Sequence, residues 1–173
     1  MSGEARNNFP IRARLWKCAG RHLLAWTFHN WYGIRRAILR AFGAELTGTS
    51  LVRPTAVVTH PWNLVMGKGS AIGDFAYVDS TERVVIGDFC TVSQHARVLT
   101  TMERPGGASR LRGPITIETD GWVATETMVF PGVTVGAGAI LGARGTARES
   151  LAPWTIFGGD PVRAIGPRTR PTE

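Results

Sequence analysis

An aliphatic residue returns at every sixth position of one stretch: Ile117, Val123, Val129, Val135 and Leu141. A helix brings a side chain back to the same face every 3.6 residues and a strand every 2, so a strict six fits neither. It fits a coil of short flat faces, each one six residues long with its aliphatic residue pointing at the axis. Three such units close a triangular coil of about 18 residues. Gly121, Gly132, Gly136 and Gly138 fall near the corners, where a tight turn has least room for a Cβ. The pattern predicts an all-β solenoid.

The same rhythm runs through the earlier chain. Ile-Gly-Asp-Phe occurs at Ile72–Phe75 and again at Ile86–Phe89. The phase slips by two at Glu82-Arg83, which reads as a small bulge, and resumes at Ile86, Val92 and Val98. It breaks once at length, over 100–113, where Pro105-Gly106-Gly107 and three arginines read as a loop thrown out of one coil. Loops on rigid scaffolds are where function concentrates. The organisation expected is a helical arm over 1–44, a solenoid over 45–152 with a projecting loop at 100–113, and a closure and tail over 153–173.

The first 43 residues hold eight basic side chains against Glu4, a surplus of seven that equals the formal charge of the whole chain, +7. Ile11, Leu15, Ala19, Leu23 and Trp26 recur at helical spacing, and Ile34, Ala37, Ile38, Ala41 and Phe42 form a second stripe. Two amphipathic helices are predicted, about 11–28 and 32–42, with a turn between them and Gly43 as the stop. A solenoid needs its open end covered, so these stripes are expected to pack as a cap. Trp16, Trp26 and Trp31 beside arginines also suit a helix lying on an anionic membrane, and peripheral membrane contact is the competing expectation. No groove-reading motif is present, so no nucleic-acid partner is expected.

Cys18 and Cys90 have no metal or redox spacing and read as two buried thiols of a reducing compartment, which points to the cytoplasm. The four histidines show no zinc-type pairing, and no metal is expected.

Four segments carry a resemblance. They are Arg35–Leu46 ending Phe-Gly-Ala-Glu-Leu, Val58–Leu64 (Val-Thr-His-Pro-Trp-Asn-Leu), the Ser93-Gln94 coil before the loop, and Trp122–Arg144 with the closure Gly158–Ile165. Together they resemble the hexapeptide-repeat acyltransferases, in the branch of colanic-acid-type acetyltransferases. The resemblance implies a left-handed parallel β-helix with an N-terminal α-helical cap, a homotrimer, and acetyl-CoA in a groove between subunits. It implies acyl transfer to a hydroxyl of a sugar or other small-molecule acceptor. Ala124, Gly142 and Ala143 would lie along the cofactor, and Arg144, Arg163 and Arg168 at its phosphate end.

The family's loop opens Thr-Gly-Ser-His-Asp, whose His takes the acceptor proton. The matching segment here is Thr100-Thr101-Met102-Glu103-Arg104, with Glu103 at the His position. A free Glu, at a pKa of ~4.3 against ~6.5, is the weaker base. Three readings stay open: Glu103 as replacement base, CoA-independent acid–base chemistry on the same scaffold, and a non-catalytic trimeric module. His95 is the second base candidate, since it follows the inward Val92 by three positions. Asp79, Gln94, His60, Trp122 and Glu126 are candidates for acceptor binding. Glu126 would face Glu103 across a subunit boundary and raise the pKa of one of the pair.

Overall fold

The computed structural model describes residues 10–103 and 109–169. The chain winds into a parallel β-solenoid with three faces. The first face stacks Glu45–Leu46, Leu64–Met66, Val84–Ile86, Ile115–Ile117 and Thr134–Val135. The second stacks Leu51–Val52, Ala71–Ile72, Thr91–Val92, Trp122–Val123, Ile140–Leu141 and Thr155–Gly158. The third stacks Val57–Val58, Tyr77–Asp79, Arg97–Leu99, Met128–Val129 and Thr146–Ala147. Arg163–Pro167 then folds back antiparallel on Thr155–Gly158 and closes the C-terminal end.

The six-residue period is the core. Ile117, Val123, Val129, Val135 and Leu141 are all fully buried, each over its counterpart in the coil below. Coil length varies, however. Thr116 pairs with Thr134, 18 positions on, as the hexads demand. Leu64 pairs with Val84, 20 positions on, and Val84 with Ile115, 31 positions on. The surplus leaves at one corner, between the third face and the first. There it forms the 3₁₀ turn Pro61–Asn63, then the bend at Thr81-Glu82, then a hairpin of Thr101–Glu103 against Arg110–Arg112. The slip at Glu82-Arg83 is therefore one member of a stacked series, and the predicted loop begins and ends as a β-ribbon. Arg104, with the Pro105-Gly106-Gly107 run, lies outside the described residues.

The N-terminal segment consists of Pro10–Leu15, a π-turn at Trp16–Gly20, Arg21–Ala25 and the helix Tyr32–Ala41. It covers the open end of the solenoid, where each face has a strand with no coil beneath it. One side chain reaches each face: Arg40 donates to Leu46 O at 2.6 Å, Arg35 Nε to Val52 O at 2.6 Å, and Trp16 Nε1 to Val58 O at 2.9 Å. Arg35 also donates to Thr27 Oγ1, Phe28 O and His29 O, each at 2.7 Å, so this fully buried cation is ringed by oxygen. Burial lowers its pKa, with Tyr32 and Asp74 acting the other way.

The cap forms, but not through the predicted stripe. Trp16, Leu24 and Leu39 are buried, whereas Leu15, Ala19, Leu23, Trp26 and Ile34 are exposed, Trp26 by 88%. Ala37 and Ala41 are exposed too, and Ile38 and Phe42 pack partly on the core. The thiols also divide: Cys90 is buried, which pushes its pKa to about 11, while Cys18 is exposed. Among the described residues no helix is long and apolar enough to cross a membrane.

Replacing Arg35 by Met strips the donors from four oxygens at once. Loss of about 2–4 kcal/mol of stability is expected by denaturant titration. Arg35→Lys should recover little of it, because an ammonium cannot reach the same fork of acceptors.

Candidate active site

A cavity of about 510 Å³ opens on the third face beside the corner that carries the insertions. Tyr77, Asp79, Arg97 and Leu99 rise from the strands, Thr59, His60, Thr81 and Thr101 come from the corner, and Lys17 and Arg21 form a wall from the helical segment.

Asp79 follows the inward Val78 at the end of its strand, so its carboxylate lies in the corner instead of the core. Its Oδ2 accepts from Thr101 Oγ1 at 2.6 Å, Thr101 N at 2.9 Å and Thr100 Oγ1 at 3.2 Å. Its Oδ1 accepts from Thr81 Oγ1 at 2.7 Å, Thr81 N at 3.1 Å and Thr59 Oγ1 at 3.3 Å. Burial alone pushes the carboxyl pKa up, but the bonds from Thr101 and Thr81 outweigh it and hold the pKa below the ordinary value. The same bonds fasten the base of the hairpin to the coil below it.

His60 is half-buried at the same corner, its ring edge-on to Trp62. Its Nδ1 lies 2.9 Å from Thr59 Oγ1. Burial lowers its pKa, Asp79 pulls it up and Lys17 pushes it down, with a net lowering. The lowering favours the neutral ring.

The other predicted residues lie elsewhere. Glu103 is on the hairpin, exposed and paired with Arg110 at 3.2 Å, and it does not line the cavity on the third face. His95 and Gln94 are at the corner between the second and third faces and line a second cavity of about 520 Å³. His95 is exposed, adopts a φ of 57° and stacks on Phe75 at 5.1 Å. Glu126 is one coil further on, with Arg144 beyond it, the two joined at 2.8 Å. Within the chain Glu126 thus meets a cation, which lowers its pKa, and not a second carboxylate. Trp122 stands half-exposed on the second face and donates from Nε1 to Ser93 Oγ at 2.9 Å.

Of the predicted cofactor residues, Ala124, Gly142 and Arg163 follow one another in successive coils: Ala124 N donates to Leu141 O at 2.9 Å, Gly142 N donates to Phe157 O at 2.7 Å, and Arg163 pairs with Gly158. Ala124 is buried, Ala143 and Arg163 are exposed. A Cβ on Gly142 would come within 2.9 Å of Phe157 O, so its bareness serves coil stacking. Arg168 donates to Asp120 O at 2.7 Å and Gly138 O at 3.1 Å and packs over Trp154. It ties the tail to the solenoid.

Sequence reasoning missed Thr59, Thr81, Lys17, Arg21, Tyr77 and Arg97. A signal existed: Thr59 and Asp79 stand 20 positions apart, one turn of the lower coils, and so do Thr81 and Thr101. It becomes readable only once the 20-residue period of the lower coils is known.

WcaF of Escherichia coli (strain K12), assigned as an acetyltransferase of colanic acid biosynthesis, is 30% identical over 165 residues, covering 94% of this chain and 91% of that protein. The chain belongs to the hexapeptide-repeat acyltransferases. It is an enzyme of the acyltransferase class. No family model matches the sequence. A hexapeptide-repeat-containing acetyltransferase of Vibrio cholerae O1 biovar eltor, solved with acetyl coenzyme A, superimposes with a TM-score of 0.80 at 19% identity over 92% of this chain and 87% of that one. A maltose O-acetyltransferase of Clostridium difficile 630 gives 0.81 at 18% identity, with 92% and 88% covered. At such identities the two structures speak for the family's fold alone.

Asp79→Asn replaces an acceptor of six bonds by a group that also presents donors. Stability at pH 7 should fall by about 2 kcal/mol. Because the native pKa is depressed, this contribution is present above the unfolded value of ~3.9 and is lost as pH falls through the native one. The difference in melting temperature between wild type and variant should accordingly shrink in acid. A constant difference from pH 7 to pH 3 would count against an ionised Asp79.

Proposed function

We propose that this protein transfers an acetyl group from acetyl-CoA to a hydroxyl of a small-molecule acceptor, as a homotrimer with its sites between subunits. The observation that carries this reading is the cavity on the third face. Asp79, buried and with its pKa held down, and His60, with its pKa lowered, stand there at the corner that carries the insertions, and in this reading the acceptor hydroxyl meets the thioester beside them. Lys17, Arg21 and Arg97 make its walls basic. The V. cholerae relative's complex with acetyl coenzyme A supports the choice of donor.

The second corner supports the trimer. Phe75, His95, Glu126 and Arg144 occupy successive coils with φ between 57° and 60°, a region that favours glycine. Side chains kept there at a conformational cost suggest use. A cyclic assembly joins two unlike patches of the same chain. The cavity on the third face of one subunit and the His95–Glu126–Arg144 column of the next supply two such patches, and Gln94 and Trp122 would approach the acceptor from the second. Isothermal titration should give an acetyl-CoA Kd below 1 mM, about −4 kcal/mol or better, with a three-chain particle in sedimentation equilibrium. No binding at millimolar ligand would leave CoA-independent acid–base chemistry as the reading.

The helical segment fits peripheral contact with an anionic bilayer. Leu15, Ala19, Leu23 and Trp26 face outward, Arg14, Lys17 and Arg21 are exposed beside them, and no acidic residue occurs between Arg12 and Ala44. The full-length protein should sediment with phosphatidylserine-containing vesicles and release as salt rises. Leu23→Glu with Trp26→Glu should abolish this and keep the three-chain particle. If the pair breaks that particle instead, the stripe is a subunit contact.

A further inference from the structure

We propose that His60 is the general base of this enzyme, held in its working tautomer by Thr59 and Asp79, in place of a histidine on the projecting hairpin. The inference rests on the acyl-transfer reading above.

Thr59 Oγ1 has three neighbours: Ser80 N at 2.9 Å, Asp79 Oδ1 at 3.3 Å and His60 Nδ1 at 2.9 Å. The hydroxyl owns one proton and two lone pairs. The Ser80 amide can only donate to it. The carboxylate can only accept from it. If all three contacts are hydrogen bonds, the hydroxyl proton points at Asp79, and the remaining lone pair must take a proton from Nδ1. His60 then carries its proton on Nδ1 and presents Nε2 as an unprotonated acceptor. The order is carboxylate, hydroxyl, imidazole, a three-group chain in which an anion orients a base through an intervening group.

The placement fits the task. His60 lines the cavity, while Glu103 stands on the exposed hairpin and is paired with Arg110. His95 belongs to another corner, has its own cavity and stacks on Phe75. In the step proposed, an acceptor hydroxyl attacks the thioester carbonyl as its proton passes to His60 Nε2. A C–O bond forms, the C–S bond breaks, and the CoA thiolate takes that proton back from Nε2. Atoms and charge balance, and His60 returns to its starting form. The charge that His60 carries meanwhile faces Asp79 through Thr59, with Lys17, Arg21 and Arg97 around the cavity opposing it and Tyr77 alongside. A lowered pKa suits a base that must be neutral before each turnover.

Two measurements test this on the intact protein. The first is long-range ¹H–¹⁵N spectroscopy of histidine-labelled enzyme, with His60 assigned by difference from His60→Gln. The expected result is the Nδ1–H form, shifting towards Nε2–H in Thr59→Val; an Nε2–H form in wild type overturns the proposal, and so does a Thr59→Val spectrum unchanged from it. The second is acetyl-CoA consumption with water, maltose or chloramphenicol as the probe acceptor. His60→Gln should lower kcat by about 100-fold or more, with acetyl-CoA Kd unchanged, while Glu103→Gln stays within threefold of wild type. The wild-type rate should rise with pH through a midpoint below ~6.5, and His60→Gln should lose that limb. Turnover that survives His60→Gln, or collapses in Glu103→Gln, removes His60 from the role. Failure of wild type to bind acetyl-CoA would sink the acyl-transfer reading while the tautomer result stands separately.

Discussion

Coils of a solenoid must lie in register, because each strand finds its hydrogen-bond partners only in the coils above and below. That constraint fixes the length of every face: the inward residue of each must land on the one beneath it, Val58 under Val78 under Val98, then Val129 and Ala147. A chain that carries extra residues has to expel them at a corner. Here the three largest surpluses leave at the same corner in successive coils, as a 3₁₀ turn, a bend and a hairpin. Polar side chains with no place in the axis gather there, stacked by the same register that excludes them. The Thr59–Asp79–Thr101 network is thus a product of the stacking rule.

Register also creates the problem at the ends. A parallel coil with nothing beneath it leaves strand carbonyls without partners, and an unpaired strand edge invites another chain. The N-terminal segment meets this with one long donor per face: Arg40, Arg35 and Trp16. These side chains span the gap between helix and strand that an amide could not. The same segment that satisfies the end of the core then supplies Lys17 and Arg21 to the cavity wall. Core closure and site construction are therefore one piece of chain.

The fold was legible in the sequence because the hexad repeats often enough to fix its own phase. Its inward residues, its one long interruption and its helical cap all followed. Which side of the cap packs did not follow. Leu15, Ala19, Leu23 and Trp26 form a cleaner helical stripe than Trp16, Gly20 and Leu24, yet the second set is buried. A segment with apolar residues on two sides has two candidate faces, and periodicity alone cannot choose between them. The buried face has the feature the edge strand requires, an indole N–H within reach of Val58 O. Arg35 shows the same limit. In the sequence it is one of eight basic residues in the first 43; in the structure it is an internal donor. The candidate site was half legible: Asp79 and His60 were named, but the threonines that join them answer to a coil period of 20 that the hexads do not announce.

The absence of histidine from 100–113 gains a physical meaning in this light. A catalytic group on the hairpin depends on a segment whose two strands pair with each other and meet the solenoid at their base. Glu103 sits out on that ribbon with an arginine opposite it in the pair Glu103–Arg110. A base placed on the corner itself is held by the register of the whole solenoid: His60 N donates to Ser80 Oγ, Ser80 Oγ donates back to His60 O, and Ser80 N donates to Thr59 Oγ1. Three bonds between neighbouring coils fix the peptide on which the imidazole stands. Precision of a few tenths of an ångström, which proton transfer needs, is easier to hold on such a scaffold than on a ribbon. The rigid corner and the polar relay thus favour His60 for the same physical reason, since both are consequences of coils locked in register.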